Sequence, residues 1–155
     1  IGQYGVGNEG SGDMYYKGAL MLNTIRHIIN DDSKWWEILL KYSNTFRHKI
    51  IDTPTVIAFF NQETGLNLTP IFSQYLKYKA VPILEVNIDK KKRLSLKWNT
   101  AEPNFEMPVE VNINGKIKRI PVTNQWTKFT EKIKSDFGSK NFNTNKFLYQ
   151  FSMQR

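Results

Sequence analysis

The side chains of this sequence that could do chemistry are few, and their spacing suits few reactions. There are two histidines, His27 and His48, and no cysteine. Thiol catalysis, disulfides and Cys-based zinc sites are therefore excluded, while the compartment is left open. Neither histidine lies in His-Glu-x-x-His, and no acidic pair flanks either at metal-ligand spacing. Both read as surface or structural residues, with His48 well placed near a helix C-terminus. No Gly-x-Ser-x-Gly or similar setting supports a Ser-His-Asp site. Asp13, Asp31, Asp32 and Glu37 fall where helix caps and first-turn residues belong, so no carboxylate pair for glycoside chemistry stands out. Gly2, Gly5, Gly7, Gly10 and Gly12 superficially offer a phosphate loop. Such a loop must follow a strand and open a helix within a βαβ unit, and no strand precedes this one. Two adjacent tyrosines remain, Tyr15 and Tyr16, at the start of a long helical pattern, where a side chain can reach from a core into a cleft. Residue chemistry alone completes no catalytic site.

The elements that position these residues are legible as two regimes. A helix over 13–29 carries Met14, Gly18, Met21, Leu22, Ile25, Ile28 and Ile29 at three- and four-residue spacing. Asp13 is its expected N-cap. Gly18 inside it costs up to ~1 kcal/mol relative to Ala, which suggests close approach by another helix or by backbone. A second helix over about 33–49 places Trp35, Ile38, Leu39, Tyr42 and Phe46 on one face. Thr53-Pro54 and Thr69-Pro70 each read as a start signal, with Thr capping and Pro at the first helical position. Gly65 is the expected C-cap of the third helix.

At Pro82 the period changes from helical to alternating. Strands are predicted over 81–88 and 93–98, joined by a basic turn. A hairpin follows around Asn114-Gly115, the dipeptide that suits a type I′ turn. Trp126 and Phe129 suggest a further strand, and Phe147, Tyr149, Phe151 and Met153 alternate in a last one. The fold class is therefore α+β: a bundle of about four helices followed by an antiparallel β-sandwich. The expected division is a helical unit over 1–83 and a β-sandwich domain over 84–155.

Charge follows the same division. Of the net +8, residues 84–155 hold most, with Lys90, Lys91, Lys92 and Arg93 in succession. The preferred reading is a solvated, solubilising face, with no nucleic acid as partner. The rival is a non-catalytic module whose basic β-half grips nucleic acid or another polyanion through these residues with nearby Trp98. No apolar run approaches the ~18 residues needed to span a bilayer. Ile1-Gly2-Gln3 has neither an initiator Met nor a signal pattern, and reads as a chain starting mid-protein.

Tyr15-Tyr16-Lys17-Gly18-Ala19 and the following helix with Arg26 resemble the Tyr-x-Lys-Gly segment of the gluzincin zinc aminopeptidases, the family of aminopeptidase N and the leukotriene hydrolases. The series continues in order. Residues 53–65, ending at Gly65, look like that family's helix ending at a glycine. Leu68-Thr69-Pro70-Ile71-Phe72-Ser73-Gln74-Tyr75-Leu76 is similar to its Leu-x-x-Phe-Phe-x-Gln-Trp-Leu segment. Val81-Pro82-Ile83-Leu84 resembles its Val-Pro-x-Leu entry into a β-sandwich domain. The likeness covers about residues 13–130.

What the resemblance implies is specific. Residues 1–83 would be the helical end of a thermolysin-like catalytic domain, with the remainder of that domain packing on them. In such enzymes zinc polarises the scissile carbonyl of a peptide and activates water, and a glutamate acts as base. Tyr15 would be the catalytic tyrosine whose hydroxyl hydrogen-bonds the developing oxyanion. Tyr16 does not match the motif position. His-Glu-x-x-His, the third zinc ligand and the Gly-x-Met-Glu-Asn substrate-amine motif are absent. Asn8-Glu9-Gly10 mimics the segment of the third ligand but lies too close to Tyr15 and is not assigned to zinc. The expectation is a C-terminal piece of a peptide-cleaving aminopeptidase, with zinc as cofactor of the parent and none held by this piece.

Overall fold

Capping decides where the helices begin, and carboxylates outcompete threonines for the task. The computed structural model describes residues 12–133 and 136–154. Helix α1 runs Asp13–Ile29, α2 Asp32–Phe46, α3 Thr53–Thr64 and α4 Thr69–Lys77. The Asp31 side chain accepts from Lys34 N at 3.0 Å, and the Asp52 side chain from Thr55 N at 2.9 Å, each satisfying an orphan amide of a first turn. Thr53 and Thr69, expected as caps, are instead first helical residues. An ionised carboxylate one residue earlier is the stronger acceptor for α3. Leu68 precedes α4 without a side-chain cap, and Asn61 donates to Thr69 Oγ1 from outside. Asp13 is likewise inside α1, whose N-cap is Gly12. Asn30 and Gly65 end α1 and α3 in the left-handed conformation, at φ 56° and 71°.

The helices bury or half-bury the described residues their periodicity marks, except Leu22 of α1, which is exposed. Trp35, Ile38, Phe59, Phe60, Ile71, Phe72 and Tyr75 are buried, with Tyr42 and Phe46 packed edge-on against Phe59 at 5.5 and 5.4 Å. Gly18 departs from expectation. A Cβ there would meet nothing within 4 Å, so among the described residues no helix or backbone approaches it.

From Ile83 the chain is β-rich. β1 spans Ile83–Ile88, β2 Arg93–Asn99, β3 Glu106–Ile113, β4 Lys116–Thr123, β5 Thr127–Lys132 and β6 Gln150–Gln154, with a 3-10 turn at Ser139–Asn141. Four strands form one sheet in the order β5-β2-β1-β6, and β3-β4 form a second. All pairings are antiparallel except β1–β6, which is parallel. The β3–β4 hairpin turns at Asn114 and Gly115, both at positive φ (53° and 89°), as a type I′ turn demands. Leu84, Val86, Leu94, Leu96 and Trp98 of one sheet face Met107, Val109, Val111, Ile120 and Val122 of the other, all buried, in a sandwich-like core. That core is continuous with the buried residues of the helices. The fold is α+β, four helices followed by antiparallel-rich sheets.

Candidate functional site

Tyr15, the residue the resemblance singles out, lies on α1, so the site is built from that helix. Its inward stripe, Met21, Thr24 and Ile25, is buried, while Tyr15, Tyr16, Leu20 and Leu22 remain exposed. Tyr15 is 73% exposed, and among the described residues its hydroxyl has no partner. Its phenol therefore projects from the first turn of a helix whose own position is fixed elsewhere. Gly18, three residues on, lies on the same face and leaves it open. Asn8-Glu9-Gly10 lies outside the described residues.

Four sets of hydrogen bonds hold α1 in place. Lys17 Nζ donates to Tyr78 O at 2.6 Å and to Lys79 O at 3.3 Å, tying the start of α1 to the linker between α4 and β1. Asn23 Nδ2 donates to Lys146 O at 3.3 Å. Thr24 Oγ1 donates to Leu20 O and accepts from Leu148 N at 2.9 Å. Tyr75, buried on α4, donates to Leu148 O at 2.6 Å, and burial pushes its phenol pKa well up, so it stays a neutral donor. At the far end, Arg119 Nη2 donates to His27 O at 2.6 Å and Ile28 O at 3.0 Å, a cation on the last carbonyls of α1. None of these anchors was legible as functional in the sequence.

Arg119 also reaches Glu110, a buried carboxylate on β3, at 3.3 Å, and Lys146 reaches the same group at 3.0 Å. Burial alone would raise the Glu110 pKa. Hydrogen bonds from Lys146 and Asn143 and the Arg119 charge outweigh it and hold the group below the usual range. His27 packs edge-on against Phe147 at 6.2 Å, and burial, with Lys146 and Arg26 nearby, lowers its pKa. His48 is exposed just past α2 at positive φ and accepts from Arg47.

Among the described residues no three His, Cys, Asp or Glu side chains come together as metal ligands. Trp98 is 1% exposed, with its Nε1 donating to Met107 O at 2.9 Å, so its ring is not available to stack on a base. A groove of about 430 Å³ between the helices is lined by Leu22, Leu39, Tyr42, Val56, Ile57 and Leu76 among others, and is apolar. Its carboxylate, Asp52, is committed to capping α3. No helix of the described chain is long and apolar enough to cross a membrane.

Comparison with known proteins adds a fold and nothing finer. No family model matches the sequence, and no curated protein matches it. The structure is similar to part of the crystal structure of Legionella pneumophila aminopeptidase A in complex with aspartic acid, with a TM-score of 0.60 and 17% sequence identity. The match covers 77% of this chain and 15% of that one, so the chain corresponds to a small part of the Legionella protein's length. At such identity the likeness bears on the fold alone, and the fold is aminopeptidase-like.

Proposed function

We propose that this chain is a segment of a zinc-dependent aminopeptidase of the gluzincin type, removing N-terminal residues from peptides. In this reading residues 1–83 are the helical end of the catalytic domain and residues 84–155 its β-sandwich neighbour. The rest of the catalytic domain, with the zinc ligands and the general base, packs on α1 and α2. The observation that carries the proposal is Tyr15, a phenol held 73% exposed on a firmly anchored helix. Exposed Leu20, Leu22, Trp36 and Leu40 on the same two helices support it, since they supply an apolar surface for such a neighbour. Tyr15 would donate its O–H to the oxyanion that forms as water attacks the peptide carbonyl, a bond worth most where the charge develops.

Two measurements test this. The 155-residue chain alone should hydrolyse no aminoacyl reporter substrate, and chelator-sensitive activity would overturn that part. In the longer enzyme, Tyr15→Phe should lower kcat about 10²–10³-fold with little change in KM, as removal of a transition-state donor does. A loss below tenfold would remove Tyr15 from the reaction.

A further inference from the structure

At one end of the β-rich half, two turns and a strand end are locked together. Ile133 N donates to Lys92 O in the β1–β2 turn at 2.9 Å, and Asn114 Nδ2 in the β3–β4 turn donates to Lys132 O at the end of β5 at 2.9 Å. Two cations there are committed, Arg93 to Asp89 and Lys118 to Glu131. Lys90, Lys91, Lys92, Lys116 and Lys132 are exposed and make no ion pair among the described residues. Between Lys116 and Lys118 stands Ile117, 76% exposed and outside the hydrophobic core.

We propose that this lysine-tipped end of the sheets docks on an anionic lipid bilayer, with Ile117 entering the headgroup layer. The side-chain types choose among anionic partners. Lysine ammonium groups are point charges that need no fixed phosphate geometry, whereas the arginines that could grip phosphate bidentately, Arg93 and Arg119, are held by Asp89 and by the carbonyls of α1. A single-stranded nucleic acid needs exposed rings to stack its bases. Trp98 is buried, and the exposed Trp126 precedes the first residue of β5, at the strand end opposite Lys132. A bilayer surface instead rewards clustered lysines, by ~1 kcal/mol each, and takes up an exposed aliphatic side chain. The proposal is independent of the peptidase reading.

The test is partitioning of the 155-residue chain onto sedimentable vesicles. With one-third phosphatidylserine in phosphatidylcholine at about 0.1 M salt, the chain should sediment with the vesicles, and at about 0.5 M salt it should be released. Pure phosphatidylcholine should not retain it. Lys90→Gln/Lys91→Gln/Lys92→Gln should weaken partitioning on the order of a hundredfold. Ile117→Ser should weaken it several-fold without changing its salt dependence. Lys90, Lys91 and Lys92 lie on an exposed turn and Ile117 is exposed at the start of β4, and an unchanged circular dichroism spectrum confirms the fold of each variant. No partitioning at 0.1 M salt, or partitioning indifferent to the triple substitution, overturns the proposal. So does duplex or single-stranded DNA binding tighter than vesicle binding at matched salt and insensitive to Ile117→Ser, which would assign the surface to a polynucleotide.

Discussion

Gly18→Ala should stabilise this protein. A glycine inside a helix costs about 0.8–1.0 kcal/mol relative to alanine, mostly in unfolded-chain entropy. A glycine is kept at such a position when a neighbour leaves no room for a methyl group. Here the added Cβ meets nothing within 4 Å among the described residues, so no steric term from them opposes the gain. Gly18 is the sixth residue of α1, near the helix start, where the cost falls somewhat below the interior value, to about 0.5–1 kcal/mol. For a chain of this length that is a rise in Tm of roughly 1–4 °C. Urea unfolding should show a higher midpoint at unchanged m, because neither surface exposure nor compactness changes. A lower midpoint would refute the reasoning, since it would mean that a neighbour occupies this face in solution. The longer enzyme supplies the contrast. Gly18 shares its face with Tyr15, so where the rest of a catalytic domain meets that face, the same methyl group should cost activity while the isolated segment gains stability.

Other outcomes follow from the anchors of α1. Acid should destabilise the protein in two stages. His27 is lowered from 6.5 in the folded state, so the unfolded chain takes up the proton first and stability falls as pH drops below about 6.5. Glu110 is lowered from 4.5, so its contribution is complete above that value and is lost as pH falls through its folded pKa. Urea midpoints measured between pH 8 and 3 should show both limbs. His27→Gln should remove the upper one, and Glu110→Gln should flatten the lower one while costing about 2 kcal/mol at pH 7, the worth of hydrogen bonds to a charged group. Lys17→Met should cost about 1 kcal/mol and speed amide hydrogen exchange in the first turns of α1, with the β1 and β2 amides unchanged.

The sequence made the regular elements readable and the long-range ones opaque, for physical reasons. Asn114-Gly115 announced its hairpin because a type I′ turn needs positive φ at both positions. The apolar stripe of α2 and the glycine stop at Gly65 are equally local signals. The caps went astray because Asp52 and Thr53 compete for one role, and only geometry shows the carboxylate accepting from Thr55 N. The parallel pairing of β6 with β1 leaves no local trace, since it depends on the chain returning from residue 133 by way of the 3-10 turn. Alternation along β3 sends Glu110 to solvent, yet Arg119, Asn143 and Lys146 close over it from remote parts of the chain. The role proposed for Tyr15 rests on a resemblance, since residue type and position alone mark only a tyrosine at a helix start. Its anchors were not reachable at all, because Lys17, Asn23 and Arg119 donate to backbone carbonyls, and a carbonyl has no sequence signature.

Those anchors change what the β-rich half is for. Three of the four sets of bonds holding α1 come from residues beyond 84: the carbonyls of Asn145 and Lys146, the Leu148 amide on Thr24, and Arg119 on the helix end. The fourth, from Lys17, reaches the linker that enters β1. On the proposed peptidase reading, a helix displacement of even 1 Å would carry the Tyr15 hydroxyl out of hydrogen-bond range of a reacting carbonyl, which for a positioned donor is a loss of about a hundredfold in rate. The strands therefore act on Tyr15 without approaching it. They hold the rigid body from which the phenol projects, so substitutions at Arg119 or Thr24 should change kcat in the longer enzyme while leaving the residues around the substrate untouched.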